Sequence, residues 1–219
     1  MKKGVPTAST VPTADEPTVL VIDDDPLTRG ALSSLFRSVG LSVRTFASAR
    51  ELLEHPLPTV PSCLVLDVRL PRLSGFDLQA ELSRLGLKIP IIFITGHGDI
   101  PMSVKAMKAG AVDFLTKPFR DQEMLEAVTR ALERDLKHRR EEQSNLDNQT
   151  RFESLTPRER QIMSLVTAGL MNKEVAFRIG ISEMTVKIHR GHVMRKMGTK
   201  SLADLVLIAE NLGIRGQEK

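Results

Sequence analysis

The sequence predicts an α/β domain with a (βα)5 doubly wound parallel sheet, strand order 2-1-3-4-5, followed by a small all-α helix-turn-helix domain. Three observations carry this reading. Between residues 18 and 136, five short apolar runs alternate strictly with helical patterns, as expected for a parallel sheet covered on both faces. After residue 155 no strand-like run remains, and short helical patterns are separated by glycines. The charge divides along the same line. Residues 1–150 hold 19 Lys and Arg against 20 Asp and Glu, whereas residues 151–219 hold 12 against 7. A front half of net −1 and a rear of net +5 suggest that only the second domain faces a polyanion.

Residues 1–17 are rich in Pro, Thr and Ala without periodicity and read as a disordered tail. Thr18–Ile22 is short, apolar and β-branched, a buried strand. Residues 26–39 place Leu27, Leu32, Leu35, Phe36 and Val39 at helical spacing and stop at Gly40. Leu41–Phe46 alternates as a strand, and Ser48–Glu54 is a short helix. Cys63–Leu66 is the next buried strand, and Gly75–Leu85 is a helix with Phe76, Leu78, Leu82 and Leu85. A further apolar run occupies Ile89–Ile94. Residues 100–109 are helical, Val112–Leu115 is strand-like, and a long helix starts near Asp121 with the stripe Leu125, Val128, Leu132 and Leu136. Residues 137–154 are highly charged and read as a partly helical linker, with a helix continuing past its domain as the other reading. Thr156-Pro157-Arg158-Glu159 is a capping box with Pro at the first helical position. It opens four helices, 157–168, 172–179, 182–197 and 201–211, broken at Gly169, Gly180 and Gly198.

Composition excludes several classes. One cysteine, Cys63, among 219 residues rules out a disulfide framework or a Cys-rich metal site. No apolar run approaches the roughly 18 residues of a membrane span. Met1-Lys2-Lys3 leads into no apolar segment of the kind a signal peptide carries. A cytoplasmic location is the expectation. The absence of Trp and Tyr argues against a single-strand binder that stacks bases on aromatics.

A doubly wound sheet binds its ligands at the carboxyl ends of the strands. Here those ends carry Asp23-Asp24-Asp25, Asp67, Thr95-Gly96 and Thr116-Lys117-Pro118. Taken singly, each has a plain structural explanation. The Asp run suits a helix N-terminus, Asp67 a loop cap, and Lys117-Pro118 a turn, one that can hold a cis peptide. Together, at four of five strand ends, they form an acidic pocket. Carboxylates packed this closely repel unless a cation joins them. Mg2+ suits an all-oxygen site of one or two carboxylates with phosphate oxygens. A carboxylate beside it can attack phosphorus, with a lysine and a hydroxyl to bind the phosphoryl oxygens.

The segments VIDDDP, LVLDVRLPRLSGFDL, IIFITGHGD and AMKAGAVDFLTKPF make residues 18–135 resemble a response-regulator receiver domain. The resemblance implies that Asp67 is the phosphoacceptor. It implies that Asp23, Asp24 and Asp67, with the backbone carbonyl of Arg69, hold one Mg2+. It gives Thr95 and Lys117 to the phosphoryl group and makes Phe114 the aromatic that turns inward when Thr95 moves. Asp25 is then a third acid beside the metal without necessarily being a ligand. The face formed by helix 100–109, strand 112–115 and helix 121–136 dimerises on phosphorylation in that family. An ordinary core role for Phe114 remains the alternative.

In helix 182–197, Val186, Val193 and Met197 share one face and pack inward. Residues 181–200 hold five Lys and Arg against one acid, a charge suited to duplex DNA, whose major groove admits one helix. The other reading is a solvated basic face. The stretch LTPRERQIMSLVTAGLMNKEVAFRIGISEMTVKIHRGHVMRKM resembles the LuxR-type helix-turn-helix. Receiver and module together resemble the NarL/FixJ class. TGHGD, KPF and Arg190 beside a small residue are most similar to the FixJ branch of nitrogen-fixation, nodulation and aromatic-catabolism regulators. Carried over, Lys187 and Ile188 face base edges, Gly191 permits close approach, and Arg195, Lys196 and Lys200 contact phosphates. In the last helix Leu202, Leu205, Val206 and Ala209 are expected inward, with Leu207 outward as a dimer contact.

The expected function is therefore a phosphorylation-dependent transcriptional regulator, not an enzyme. Its partners are a histidine kinase on a separate chain, a second copy of itself on phosphorylation, and double-stranded DNA with two-fold related half-sites. Two alternatives remain. One is a Mg-dependent aspartate-nucleophile phosphohydrolase with a basic accessory domain, although Asp67-Val68-Arg69 lacks the second acid such enzymes commonly place two residues on. The other is a receiver used only for dimerisation.

Overall fold

The computed structural model describes residues 16–214, so the tail expected over residues 1–17 lies outside the described residues except for Glu16 and Pro17. Two compact units divide the chain, residues 1–139 and 140–219. In the first, β1 (Thr18–Ile22), α1 (Pro26–Ser38), β2 (Ser42–Phe46), α2 (Ala49–Leu53), β3 (Ser62–Asp67), α3 (Gly75–Arg84), β4 (Ile91–Thr95), α4 (Ile100–Lys108) and β5 (Asp113–Thr116) alternate, and α5 (Asp121–Glu153) starts there and ends in the second. All pairings are parallel, and the sheet order is β2-β1-β3-β4-β5.

The two-residue period of a strand explains the two cores. Leu20, Ile22, Leu64, Leu66 and Phe93 point to one face, where Leu52 of α2, Leu78 and Leu82 of α3 and Ala106 of α4 cover them. Val19, Val21, Cys63, Val65, Ile92 and Ile94 point to the other, under Leu32 and Phe36 of α1 and Met124, Ala127, Val128 and Ala131 of α5. β1, β3 and β4 are thus buried on both faces, which is why they read as continuous apolar runs.

The linker expectation needs correction. Residues 137–153 are helical throughout, as the continuation of α5. No Gly or Pro interrupts residues 121–156, and neighbours one turn apart support the charged stretch: Gln143 donates to Asp147 and Gln149 to Glu153, both at 2.8 Å. Within the first unit, the buried Asp135 accepts the Ser62 N–H at 2.8 Å and the Arg139 Nε at 2.6 Å. Arg139 also donates to the carbonyls of Pro58 and Thr59.

The second unit holds α6 (Pro157–Thr167), α7 (Asn172–Ile179), α8 (Glu183–Met197) and α9 (Leu202–Asn211). The expected capping box is formed: Glu159 N–H donates to Thr156 Oγ1 and Thr156 N–H to Glu159 Oε2. Gly180 ends α7 at φ +69°, a left-handed conformation that turns the chain into α8 without the Cβ penalty. Val186 joins Ile162, Val166, Val175 and Ala176 in one core. Val193 and Met197 join Leu155, Met163, Leu205 and Ala209 in the other, so α8 is the central helix. Leu207 is exposed as expected. Leu202 is 39% exposed instead of inward, because it is the first helical residue after the Ser201 cap and lies at the rim of the core. Val206 is half-buried. No described helix is long and apolar enough to cross a membrane.

Two glycines make the packing testable. A Cβ at Gly75 would lie 2.5 Å from the Asp67 carbonyl oxygen, whereas one at Gly30 inside α1 would meet nothing within 4 Å. Gly75→Ala should destabilise the protein by about 1–3 kcal/mol through overpacking. Gly30→Ala should stabilise it by about 0.5–1 kcal/mol through helix propensity. Urea unfolding followed by circular dichroism checks both; equal shifts of the same sign would contradict the packing described.

Candidate functional site

β1, β3, β4 and β5 end level: Ile22 pairs with Leu66, Asp67 with Ile94, and Thr95 with Thr116. Their polar ends therefore converge. Asp23, Asp24 and Asp67 each offer a carboxylate oxygen, and the three oxygens lie within 4.8 Å of one another. Lys117 Nζ donates to Asp23 Oδ2 and to Asp67 Oδ2, each at 2.6 Å. Asp23 and Asp67 are buried, and Asp24 is exposed.

The electrostatics follow from that burial. Desolvation pushes the Asp23 carboxyl above its usual range, although Lys117 and the Asp25 N–H pull it down. For Lys117 burial disfavours the charge, but the hydrogen bonds it donates to Asp23 and Asp67 outweigh that and the pKa is raised. The lysine is thus a held cation tying two carboxylates together. A hard dication that prefers oxygen ligands fits this donor set, since three clustered acids supply the charge and the oxygens it needs.

Around the trio the backbone is closely tied. Arg69 N–H donates to Asp67 Oδ1 at 2.8 Å, and Lys117 N–H to the Thr95 carbonyl at 2.7 Å. The Lys117-Pro118 peptide is cis. Thr95 is fully buried, and its hydroxyl is engaged with the backbone of His97, accepting from its N–H at 3.3 Å. Phe114 is half-buried against the α2–α4 core. Gly98 fills the gap beside the pair: a Cβ there would lie 3.0 Å from Phe114 Cε1 and 3.2 Å from Thr95 Cγ2.

Asp25 does not join the trio. Its carboxylate caps α1, accepting from Leu27 N and Thr28 N at 3.1 Å and from Thr28 Oγ1 at 2.7 Å. Those bonds, the Thr28 hydroxyl first, lower its pKa. The sequence did not single out Arg29. Its Nη1 donates to the carbonyls of Asp23 at 2.6 Å and Asp24 at 3.0 Å. An arginine one turn after an acidic helix cap was the available signal.

In the second unit Lys187, Ile188, Gly191, Arg195 and Lys200 are exposed. The first four recur at helical spacing along one face of α8, and a Cβ at Gly191 would meet nothing within 4 Å. Arg190 instead donates to Asn172 Oδ1 at 2.7 Å, tying α8 to the start of α7. Lys196, expected on a phosphate, is exposed as well and has a partner within the unit. Its Nζ donates to Glu159 Oε2 at 2.7 Å. Glu159 is buried and accepts the Thr156 N–H as well. His192 Nδ1 stands 3.8 Å from its other oxygen. The Lys196 bond, opposed by desolvation and aided by Thr156, lowers the Glu159 pKa to about 2. Sequence reasoning saw Glu159 only as half of a capping box, because its partner lies 37 residues away.

Comparison with known proteins gives concordant results. Residues 19–129 match the response regulator receiver domain family, and residues 153–209 match the bacterial regulatory proteins of the luxR family. The chain is similar to nodulation protein W of Bradyrhizobium diazoefficiens, with 61% identity over 90% of this chain and 86% of the relative. It is similar to the response regulator protein TodT of Pseudomonas putida, with 49% identity over 89% of this chain and 86% of the relative. Among solved structures it is similar to the response regulator StyR, with TM-score 0.78 and 47% identity over 89% of this chain and 98% of that one.

Glu159 gives a pH test. Its folded-state pKa of about 2 lies below the ordinary 4.5. Its stabilising contribution is therefore complete above about 4.5 and is lost as pH falls toward 2. Glu159→Gln should be less stable than wild type at neutral pH, with the difference shrinking through that window. Urea midpoints across acid pH measure it; a pH-independent difference would contradict the ion pair.

Proposed function

The chain belongs to the response regulators that join a receiver domain to a LuxR-type helix-turn-helix, and we propose that Asp67 is the phosphoacceptor through which it regulates transcription. The observation that carries this is the Lys117 ammonium, bonded at 2.6 Å to both Asp23 and Asp67 within a cluster of three carboxylates. The geometry supports the following chemistry. An Asp67 carboxylate oxygen attacks the phosphorus of a phosphohistidine on a separate histidine kinase. The P–N bond breaks, the imidazole departs, and a P–O bond forms to give an acyl phosphate. Asp23, Asp24, Asp67 and the Arg69 carbonyl would hold Mg2+, which when bound supplies positive charge to the transferring phosphoryl oxygens. Lys117 gives up its bond to Asp67 for a phosphoryl oxygen. Thr95 turns from His97 to another, and the space it leaves admits the Phe114 ring.

The affected face is α4, β5 and the first turns of α5, and phosphorylation favours a homodimer there. A new charge on Asp67 biases a surface with two arrangements. The functional division we infer is a receiver over 18–136, a connecting segment over 137–154 and a DNA-binding domain over 155–214, acting in the cytoplasm. On duplex DNA with two-fold related half-sites, Lys187 and Ile188 meet base edges, Gly191 lets the helix approach closely, and Arg195 and Lys200 meet phosphates. Lys196 serves instead as the clamp on Glu159. TodT and StyR are named as response regulators rather than hydrolases, and Arg69 stands where a phosphohydrolase would want its second acid.

Acetyl phosphate with Mg2+ should add one acid-stable, hydroxylamine-labile phosphoryl group, read by intact mass. Asp67→Asn should abolish it, and Asp25→Asn, which alters only a helix cap, should at most slow it. A phosphorylated Asp67→Asn protein would overturn the assignment.

DNA titrations over a range of salt should separate the α8 residues. Arg195→Ala or Lys200→Ala should weaken binding to all duplexes alike and flatten the salt slope by about one unit. Lys187→Ala should cost about 1–3 kcal/mol on the specific site and little on a scrambled one. Lys196→Ala should leave the slope unchanged and lower the unfolding midpoint. A flattened slope for Lys196→Ala would return it to the phosphate contacts.

A further inference from the structure

The three acids of the pocket are not equally supported. Asp23 Oδ2 and Asp67 Oδ2 are fixed by Lys117. Asp23 Oδ1 accepts the Asp25 N–H at 2.9 Å, and Asp67 Oδ1 accepts the Arg69 N–H. Asp24 is exposed, and the aim of its carboxylate therefore depends on its own backbone. That backbone lies between the end of β1 and the Asp25 cap, with two consecutive carbonyls, those of Asp23 and Asp24, turned to one side. Arg29 Nη1 binds both, at 2.6 and 3.0 Å. Arg29 sits on α1, and its own N–H donates to the Asp25 carbonyl at 3.1 Å. The guanidinium is thus carried on a helix whose N-terminus is capped by the residue next to Asp24. A rigid, planar donor group on such a base holds two successive peptide planes with little loss of side-chain entropy per bond.

We propose that Arg29 is a positioning residue for phosphoryl transfer: by holding the Asp23 and Asp24 carbonyls on one nitrogen, it aims the Asp24 carboxylate into the metal-binding cluster. This rests on the reading of the acidic pocket given above and assigns to it a residue that touches neither the metal nor the phosphoryl group. Partners that orient ligands in this way are worth about 10–100-fold in metal affinity. Removing Arg29 should therefore weaken divalent-cation binding. The phosphorylation rate at saturating cation should be little changed, because Asp67 and Lys117 are bonded to each other and Arg29 bonds neither of them.

The test uses the full chain and its Arg29→Met and Arg29→Lys variants, with Asp67→Asn as control. Mg2+ alone is titrated by calorimetry, and phosphorylation by acetyl phosphate is followed as a function of Mg2+. Arg29→Met should bind Mg2+ at least about ten-fold more weakly, with the half-saturating Mg2+ of the phosphorylation rate raised by the same factor and the maximal rate within about two-fold of wild type. Arg29→Lys keeps a donor and the charge and should recover part of the affinity. If Arg29→Met does not fold, Arg29→Lys alone decides: weakened Mg2+ binding supports the proposal, and wild-type binding overturns it. An unchanged Mg2+ affinity with a lowered unfolding midpoint means Arg29 only stabilises α1, which also overturns it. Wild-type protein that neither binds Mg2+ nor takes up phosphoryl overturns the pocket reading, and this proposal with it; wild-type function with unaltered variants overturns this proposal alone.

Discussion

Three carboxylates cannot share one small pocket without a cation, and the first unit is arranged around that constraint. Asp23 is taken out of water by the same sheet that delivers it, which raises the cost of its charge. Lys117 answers that cost by bonding Asp23 and Asp67 at once. The strand order brings β1, β3, β4 and β5 side by side, so four loops distant in sequence meet at one edge. The buried apolar faces of β1, β3 and β4 supply the rigidity, and the polar groups at their ends inherit it. A pocket poised this way responds to any change in local charge, which is what a phosphoryl switch requires.

The second unit solves a smaller version of the same problem. Glu159 is a buried acid, and Lys196 from α8 neutralises it. One consequence is a fixed relation between α6 and α8 near Thr156. Arg190, through Asn172, fixes α8 against α7 at another point. With these two ties in place, the exposed face of α8 carries Lys187, Ile188, Gly191 and Arg195 on a helix fixed against both α6 and α7. Breaking either tie leaves a polar group without its partner, an outcome costlier than losing a surface ion pair.

Much of this was legible in the sequence because it depends on local periodicity and on strand ends. The element order, the two faces of the sheet and the inward set Val186, Val193 and Met197 follow from spacing, and the convergence of Asp23, Asp24, Asp67, Thr95 and Lys117 follows once the sheet order of the fold is added. What escaped depends on long-range or competing bonds. Asp25 reads equally well as a pocket acid or a helix cap, and the Leu27 and Thr28 contacts decide for the cap. Lys196 sits among residues expected on phosphates, yet an acid from another helix claims it. Leu202 follows the apolar period of α9 but lies at the rim of its core. Most of residues 137–153 are exposed, although Asn148 is buried and Phe152 packs on a core; the stretch is helical nonetheless, since solvated charge and helix are compatible when neighbours one turn apart pair.

The central claim is that chemistry at Asp67 governs DNA binding by the same chain. It is tested most directly by the affinity of the full-length protein for a specific duplex at fixed salt, with and without beryllofluoride as a stable phosphoryl mimic, in wild type and Asp67→Asn. The expected result is tighter binding by wild type when the mimic and Mg2+ are present, at least about ten-fold or roughly 1.4 kcal/mol, and no change for Asp67→Asn. Equal affinities for wild type in the two conditions, or an equal gain in Asp67→Asn, would contradict it.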